Sequence, residues 1–338
     1  MKDRTPFSSN KISFWTKIVP VNPRNPRNPR NPWPILLTIM LFFAACTPPQ
    51  YKPQTSDKSP SPTLPSADFD WQGHRGCRGL LPENSIPAFL KAVELGVTTL
   101  ELDLAVSRDS QLIVSHEPWM NDDICLNADG SAIEKGEGEK LLIWQMTAVD
   151  VQKCDCGSRG NPRFKEQKAM RTVKPTLRQV VEAVRKQADF LRKPMPFFNI
   201  EIKSQPDFDN KRTPSVSAFA KRVFDDINAL KIADRSCIQS FDPRSLEEIH
   251  KLNPNQTTAL LVENIGGLNK NLKRLTFKPT IYSPYFKLIS KKTVDSCHAR
   301  NIKIIPWTVN DTADMRQLIN IGVDGIITDY PDRVLRHL

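Results

Sequence analysis

A histidine and an arginine lie side by side near the start of the globular part of this 338-residue chain. His74 and Arg75 follow a short apolar run, and the sequence Pro-Glu-Asn-Ser at 82–85 is typical of a helix start. Histidine exchanges protons near neutral pH, and the guanidinium of arginine is a planar donor that fits phosphate oxygens. The pair at the end of a predicted strand therefore indicates a phosphate ester substrate, although a lone His-Arg pair more often has a structural role.

Three carboxylates and a lysine follow on the next two predicted strands. Glu101 and Asp103 are two residues apart and therefore point to one face of a strand, and Glu201 and Lys203 repeat this spacing. Inward carboxylates repel one another unless a cation joins them, and an all-oxygen ligand set suits Ca²⁺ or Mg²⁺. Either pair alone would more often form a salt bridge or a solvated face. Together, and after His74, they indicate a divalent-cation site.

Eight short apolar runs alternate with helical patterns from residue 70 onward. This alternation predicts a parallel sheet covered by helices, and eight strand-helix units predict a TIM (β/α)8 barrel of the α/β class with its site at the carboxyl ends of the strands. The predicted strands are 71–74, 98–106, 197–203, 237–241, 258–262, 280–283, 303–309 and 325–328, and the predicted helices are 85–95, 177–191, 215–230, 243–252, 287–300 and 312–321.

Two segments interrupt the regular alternation. A hairpin-like segment at 112–116 ends on a second histidine, His116, and the polar stretch 117–176 is far longer than an ordinary barrel loop. A loop of that length inside a compact domain usually has a function or a fold of its own. We therefore predict a cap, inserted after the second strand and lying beside the site.

The insertion contains three cysteines, Cys125, Cys154 and Cys156. In an exported protein, cysteines in a loop with little core are more often bridged than free, but the sequence leaves their pairing open. A metal site at 154–156 is the alternative, although no histidine or second cysteine pair lies nearby. Reduced thiols are expected for the cysteines of the predicted barrel elements, Cys77, Cys237 and Cys297.

The first 69 residues have the composition of an export signal and a linker. A basic segment precedes an apolar run that is too short to span a bilayer but matches a signal-peptide core, so residues 1–45 are predicted to be a signal peptide. The end of this run resembles a bacterial lipobox, which implies a lipid on Cys46; an ordinary signal peptide with an unmodified Cys46 is the alternative. The Pro/Ser-rich stretch 46–69 is predicted to be an extended linker. It would tether the predicted barrel domain, 70–338, to a membrane on the periplasmic or cell-surface side.

The net charge of +11 does not indicate a nucleic-acid partner. Seven Lys or Arg residues against one Asp give the first 45 residues a charge of +6, which leaves +5 for the rest of the chain. The sequence also has no glycine-rich phosphate loop, no zinc-finger cysteine spacing and no basic stripe with interleaved aromatics. We expect a small-molecule substrate and a membrane attachment, but no nucleic acid, and the oligomeric state is left open.

The order of these motifs resembles the glycerophosphodiester phosphodiesterase family across nearly all of residues 70–332. The barrels of that family begin with His-Arg-Gly, continue with Pro-Glu-Asn and Glu-x-Asp, and have a second histidine after a hairpin. Two departures are Asp109-Ser110 in place of Asp-Gly in the hairpin turn, and Glu117 in place of Asp after the second histidine. The matching segments are 74–76, 82–84, 101–103, 115–116, 201–203, 239–242, 307–310 and 324–329.

The resemblance implies hydrolysis of a glycerophosphodiester to sn-glycerol 3-phosphate and an alcohol, with the help of Ca²⁺ or Mg²⁺. The residues it implies are Glu101, Asp103 and Glu201 as cation ligands, His74 and His116 as the acid-base pair, and Arg75 and Lys203 as phosphate-binding groups. Two further residues have open roles. Trp307 could pack on the glycerol carbons or be a core aromatic, and Glu83 could orient a histidine or lie in the first turn of the next helix.

Two other functions fit parts of the pattern. A phosphatidylinositol-specific phospholipase C or a sphingomyelinase D also uses two histidines near one phosphate, but the ordered Glu-x-Asp, Glu-x-Lys and Trp-Thr-Val-Asn matches argue against both. A surface lipoprotein could instead bind phosphodiesters or a partner protein with an idle barrel, but both histidines and all three carboxylates are retained. The sequence leaves open the preferred alcohol, the cation, the nucleophile and which histidine is the acid.

Overall fold

The parallel barrel predicted from the sequence is present in the computed structural model, which describes residues 68–337. The strands are β1 (Asp70–Gly73), β2 (Thr99–Val106), β3 (Leu112–Val114), β4 (Phe197–Ile202), β5 (Ser236–Ser240), β6 (Thr257–Val262), β7 (Ile281–Pro284), β8 (Lys303–Ile304) and β9 (Gly325–Thr328). Their order in the sheet is β8-β7-β6-β5-β4-β2-β1-β9, and each neighbouring pair on this path is parallel. β3 lies antiparallel to β2, which confirms the predicted hairpin.

The barrel closes between β9 and the segment that follows β8. The predicted strand 303–309 is longer than the observed one, which ends at Ile304, because Pro306 has no N–H for a ladder hydrogen bond. Backbone hydrogen bonds still cross this gap: the Asp324 N–H donates to the Ile304 carbonyl (3.0 Å), and the Ile327 N–H donates to the Pro306 carbonyl (2.9 Å). The first and last parts of the sheet are thereby joined.

Helices follow the strands and cover the outside of the barrel. They are α1 (Ile86–Leu95), α2 (Ala148–Val151), α3 (Leu177–Leu191), α4 (Val216–Ala229), α5 (Pro243–Leu252), α6 (Gly267–Leu272), α7 (Lys291–His298), α8 (Thr312–Asn320) and α9 (Pro331–His337). Local capping fixes where they start: the Thr176 and Gln179 side chains form a capping box at the start of α3. The predicted helix 287–300 begins later than expected because Ser290, which accepts the Thr293 N–H, is its N-cap.

β2 shows how the strands divide the inside of the barrel from its outer core. All eight of its residues are buried, as expected for a strand covered on both faces. Leu100, Leu102 and Leu104 belong to the hydrophobic cluster between sheet and helices. Because successive side chains alternate, Glu101 and Asp103 point to the other face, into the barrel.

The insertion at 117–176 forms a cap with a small core that also includes Ala105 of β2 and Ile113 of β3. Buried side chains such as Met120, Ile143 and Val151 cluster there, and Cys125 and Cys156 form a disulfide. Cys154 is a buried free thiol, so the expectation of bridging is wrong for this residue, because three thiols can form only one pair. The thiols of the barrel elements are free, as predicted.

The N-terminal predictions concern residues that the structure does not describe. The predicted signal peptide, Cys46 and the linker up to residue 67 lie outside the described residues. Between residues 68 and 337, no helix is long and apolar enough to cross a membrane.

Candidate active site

A tight turn after β1 places His74 and Arg75 at the carboxyl end of the barrel. Arg75 and Gly76 both have left-handed backbone conformations, with φ of 49° and 83°. A Cβ on Gly76 would lie 2.7 Å from the Ala88 carbonyl carbon, so this position requires glycine. The turn directs the Arg75 N–H to Oε2 of Glu101, at 2.8 Å. The His-Arg-Gly sequence therefore connects β1 to the acidic residues of β2.

Glu101, Asp103 and Glu201 form a buried carboxylate cluster, here called the acidic centre. In the register between β2 and β4, Asp103 pairs with Glu201, so the two predicted carboxylate motifs meet. One oxygen from each of the three residues lies within 4.8 Å of the others. The structure thus brings together all three predicted cation ligands.

Arg75 and Lys203 neutralise part of the acidic centre. Lys203 Nζ lies 2.9 Å from Glu201 Oε1 and 3.8 Å from Asp103 Oδ1. Arg75 Nε lies 3.3 Å from Asp103 Oδ2, and Arg75 Nη1 lies 2.5 Å from Glu83 Oε1. These ion pairs involve Asp103, Glu201 and Glu83, and within the described residues no lysine or arginine forms an ion pair with Glu101.

The acidic centre fits a divalent cation. Burial, followed by repulsion from Asp103, raises the pKa of Glu101 well above its usual value, and burial raises the pKa of Glu201 to about 7. Burial would also raise the pKa of Asp103, but attraction to Arg75 outweighs it and lowers this pKa. Asp103 Oδ1 is buried without a hydrogen bond. The three buried carboxylates supply oxygen ligands, and the raised pKa values of Glu101 and Glu201 show that their negative charges lack compensation, which a hard divalent cation would supply.

Amide side chains inside the barrel support Glu101 from below. Gln239 Nε2 donates to Glu101 Oε1 at 2.8 Å. Asn199 Nδ2 in turn donates to the side-chain oxygens of Gln239 and Gln72, at 2.9 and 2.8 Å. This line of hydrogen bonds fixes one carboxylate oxygen of Glu101 and holds the residue in place.

His74 is held by a buried carboxylate from the end of β9. Its Nδ1 lies 2.6 Å from Asp329 Oδ1, and its Nε2 lies 3.8 Å from Glu101 Oε2. Burial, together with the nearby Arg78, lowers the pKa of His74 to about 4. Burial would raise the pKa of Asp329, but attraction to His74 and Arg78 lowers it. Because an ionised carboxylate only accepts hydrogen bonds, the proton lies on Nδ1, and Nε2 is left as a proton acceptor.

His116 follows β3 and has a carboxylate partner from the insertion. Its Nδ1 lies 2.8 Å from Glu117 Oε1, and its side chain is 32 % exposed. Burial, with repulsion from Arg75 and Lys203, lowers the pKa of His116. Burial would raise the pKa of Glu117, but the contact with His116 lowers it. Glutamate at 117 therefore supplies the second histidine with an ionised acceptor.

Trp307 and Glu83 occupy defined places near these groups. An open cleft of about 430 Å³ lies over the acidic centre and is lined by both histidines and by Trp307. The indole Nε1 of Trp307 donates to the Ser283 carbonyl (2.9 Å), and the Trp307 and Phe241 rings are perpendicular, with 5.3 Å between their centres. Glu83 pairs with Arg75, and within the described residues it forms no hydrogen bond to a histidine.

Three residues without a role in the sequence interpretation complete the site. Asp329 holds His74, and Gln239 holds Glu101. Both lie in segments that match the family. Asp329 could have been identified from the sequence, because a carboxylate directly after the last strand of a barrel lies at the end where the active site forms. Arg78 Nε donates to Asp329 Oδ1 at 2.6 Å. No local pattern marks Arg78, because only barrel closure brings it next to Asp329.

Comparison with protein families agrees with this geometry. Residues 74–333 match the model of the glycerophosphoryl diester phosphodiesterase family. The chain belongs to this family. The matched range includes every predicted residue of the acid-base, phosphate and cation sets.

Individual relatives support the assignment over most of their length. Glycerophosphodiester phosphodiesterases of Caldanaerobacter subterraneus and Bacillus altitudinis are 29% and 30% identical to the chain; each match covers 78% of this chain, and 94% and 95% of the relative. An Oleispira antarctica phosphodiesterase, solved in complex with the product sn-glycerol-3-phosphate, has the same fold, with a TM-score of 0.62 and 19% identity over 78% of this chain and 94% of the other. As a member of the family, this chain is an enzyme that hydrolyses glycerophosphodiesters.

Proposed function

We propose that the acidic centre, with His74 and His116, hydrolyses glycerophosphodiesters to sn-glycerol 3-phosphate and an alcohol in a reaction that depends on a divalent cation. The observation that carries this proposal is the buried cluster of three carboxylates under a cleft that both histidines line, at the carboxyl end of the barrel. The product bound by the Oleispira phosphodiesterase supports the choice of product. Ca²⁺ and Mg²⁺ both fit an all-oxygen ligand set.

Binding of the phosphate is assigned to Arg75 and Lys203. A phosphodiester is an anion, and the charge on its oxygens grows as the nucleophile attacks, so fixed donors in a partly buried site stabilise the transition state. A cation held by Glu101, Asp103 and Glu201 would supply further positive charge to the same oxygens. Arg75 contacts Asp103, and Lys203 contacts Glu201, so both cations lie at the acidic centre. They therefore keep the phosphate next to the carboxylate cluster.

Proton transfer is assigned to the two histidines. Each has its Nδ1 on a carboxylate, Asp329 for His74 and Glu117 for His116, which fixes the orientation of the ring. Both rings line the cleft over the acidic centre. One imidazole would accept the proton of the nucleophile, and the other would protonate the departing alkoxide, each contributing on the order of a hundredfold or more.

A chelation experiment tests the cation and the product together. Glycerophosphocholine, glycerophosphoethanolamine and glycerophosphoglycerol are supplied to the purified protein, and free sn-glycerol 3-phosphate is measured before and after chelator treatment. Activity is expected to be lost with the chelator and to return with Ca²⁺ or Mg²⁺. Full turnover after chelation would contradict the role of the acidic centre, and a cyclic phosphate product would place the chemistry with the phospholipase C type.

Paired substitutions show whether the acidic centre is the cation site. Glu101→Gln keeps the shape of the side chain but removes one charge, so the cation concentration for half-maximal activity is expected to rise at least tenfold. Glu263→Gln is the matched control, because Glu263 is exposed and outside the acidic centre. Equal cation requirements in the two variants would overturn the assignment.

We also propose that Cys46 carries a lipid and anchors the enzyme on the periplasmic or cell-surface side of a membrane. The support is the sequence alone: a basic flank, a short apolar run and small residues before the cysteine. Mass spectrometry of the mature chain is expected to show an acyl mass at Cys46, and Cys46→Ser should abolish that mass and release the protein from membranes. A mature chain without acyl mass at Cys46 would overturn the anchor.

A further inference from the structure

A second cleft adjoins the first, on the side of the insertion. It has a volume of about 540 Å³ and lies between the loop that follows β1 and the insertion. Arg75, Arg78 and His116 line both clefts. A phosphodiester has two ester arms, so a phosphate bound near these shared residues would extend one arm into each cleft.

The walls of the two clefts differ in chemistry. The cleft over the acidic centre is lined on one side by apolar side chains, including Phe241, Leu261 and Trp307. These suit the carbon atoms of the glycerol arm. The second cleft is lined by polar and charged side chains, and Pro162 is the one apolar residue among the described residues in its lining. The arm in the second cleft is therefore the more polar one.

Two amide side chains in the second cleft have free donors. Asn121 Oδ1 accepts the Asp123 N–H at 2.8 Å, and Asn161 Oδ1 accepts the Arg163 N–H at 3.1 Å. Each amide oxygen is thus occupied by the backbone. Within the described residues, neither amide nitrogen donates a hydrogen bond, so both remain for a group that accepts them.

Arg163 contributes an unbalanced positive charge to this cleft. The other charged groups have charged partners: Asp123 Oδ1 lies 2.7 Å from Lys135 Nζ, and Arg75 and Arg78 pair with Glu83 and Asp329. Glu117 contacts His116 and is also attracted to Lys174 and Arg75. Arg163 forms no ion pair with any described residue, and its guanidinium lies 5.8 Å from the Phe164 ring centre. Donors and an unpaired cation together favour an anionic ligand.

We propose that the second cleft is the subsite for the alcohol arm of the substrate, and that Arg163 with the amides of Asn121 and Asn161 selects alcohols that carry a carboxylate or a phosphate. The inference deepens the proposed function and rests on it. No covalent step is added: the cleft binds the alcohol while the ester bond is cleaved at the shared residues. An alcohol that presents only an ammonium group meets the unpaired Arg163, while the carboxylates of this cleft, Glu83, Glu117 and Asp123, already have cationic partners.

Glycerophosphoserine and glycerophosphoethanolamine are the probes, because their alcohols differ by one carboxylate. The kcat/KM of the full chain is expected to be about two- to fivefold higher for the serine ester, the size expected for one exposed ion pair. Arg163→Gln should bring the ratio of the two kcat/KM values close to one, chiefly through a higher KM for the serine ester. Arg163→Glu should invert the ratio.

Arg159→Gln is the matched control. Arg159 is an exposed arginine of the same insertion and does not line the cleft, so this variant should keep the wild-type ratio. Equal kcat/KM for both esters in the wild type, or equal ratios in the Arg163 and Arg159 variants, would overturn the subsite. If neither ester releases sn-glycerol 3-phosphate, the proposed function itself fails, which is a different result from release of both at equal rates.

Discussion

Asp329, at the end of β9, accepts hydrogen bonds from an imidazole, a guanidinium and an amide. Its Oδ1 accepts from Arg78 Nε and lies 2.6 Å from His74 Nδ1, and its Oδ2 accepts from Asn310 Nδ2 at 2.7 Å. A carboxylate is the only side chain that can accept from all three at once. The orientation of His74 therefore depends on a charge that comes from the far end of the sequence.

Asp329→Asn should lower kcat about a hundredfold or more while leaving KM nearly unchanged. The amide would offer an N–H group to the ring, which favours the tautomer whose proton lies on Nε2 and removes the acceptor from the cleft. Steady-state kinetics and the pH profile of kcat measure this effect. Asp234→Asn, at an exposed position before β5, is the control. A similar kcat for both variants would show that Asp329 only stabilises the fold.

The two histidines should respond differently to the leaving group. His116 lines both clefts and His74 lines only the one over the acidic centre, so His116 lies nearer an alcohol bound on the insertion side and is the expected general acid. A nitrophenolate leaves without protonation, so on a nitrophenyl ester the loss caused by His116→Ala should be much smaller than on glycerophosphocholine. The loss of activity caused by His74→Ala should be large on both substrates. Equal losses on both substrates for both variants would count against an acid-base pair.

The strand pattern predicted the acidic centre, and tertiary contacts determined the rest of the site. Glu101, Asp103 and Glu201 could be placed on one face because side chains in a strand alternate, and the register of β2 and β4 confirms that they meet. The partnership of Arg78 with Asp329 joins residues 251 positions apart. No spacing rule reaches that far, and only the closed sheet brings the two together.

The apolar sequence pattern predicted the strands and helices of the barrel, but it did not predict the structure of the insertion. The start of α3 at Leu177 could be predicted because its cap is local in sequence. The end of β8 could not be predicted from the sequence. The barrel closes beyond this strand through backbone hydrogen bonds such as the one to the Pro306 carbonyl, and an apolar pattern carries no information about them. The insertion folds around a small core and one disulfide, which are contacts between distant positions in an irregular segment.

The disulfide should support the alcohol subsite more than the barrel. Cys125 and Cys156 are 31 residues apart, and a loop of that length gains on the order of 3 kcal/mol from the cross-link. The double variant Cys125→Ala/Cys156→Ala should melt several degrees lower, and its KM for glycerophosphoserine should rise more than its kcat falls. Cys154→Ala, which leaves the bridge intact, is the control. An unchanged melting temperature and KM would mean that the cap is held without the bridge.

The stability of the whole chain without cation should fall as the pH rises. The pKa values of Glu101 and Glu201 are raised in the folded state, that of Glu201 to about 7. A raised pKa means that the folded state binds the extra protons, so this stabilisation is complete below about pH 4.5 and is lost as the pH rises through about 7. The lowered pKa values of His74 and His116 act in the opposite direction below about pH 6.5. The chelated protein should therefore melt a few degrees lower at pH 8 than at about pH 6.5.

A bound divalent cation should remove most of this pH dependence, because it replaces the protons on the same carboxylates. Differential scanning calorimetry of the chelated and cation-loaded protein across this range measures both curves. Glu201→Gln removes one of the two carboxyls that titrate, so it should make the curve of the chelated protein less steep. A chelated wild type that gains stability between about pH 6.5 and pH 8 would contradict the raised pKa values.

The insertion leaves the barrel and returns to it at one place. Ile113 forms a β-bridge with Thr176, and the Val114 N–H donates to the Pro175 carbonyl at 2.8 Å. Because its two ends are neighbours, the whole segment could be exchanged without changing the path of the barrel strands. Substrate preference could then diverge between lineages while the reaction itself is inherited intact. A chimera with residues 117–174 of this chain on another barrel of the family should acquire its preference among alcohols.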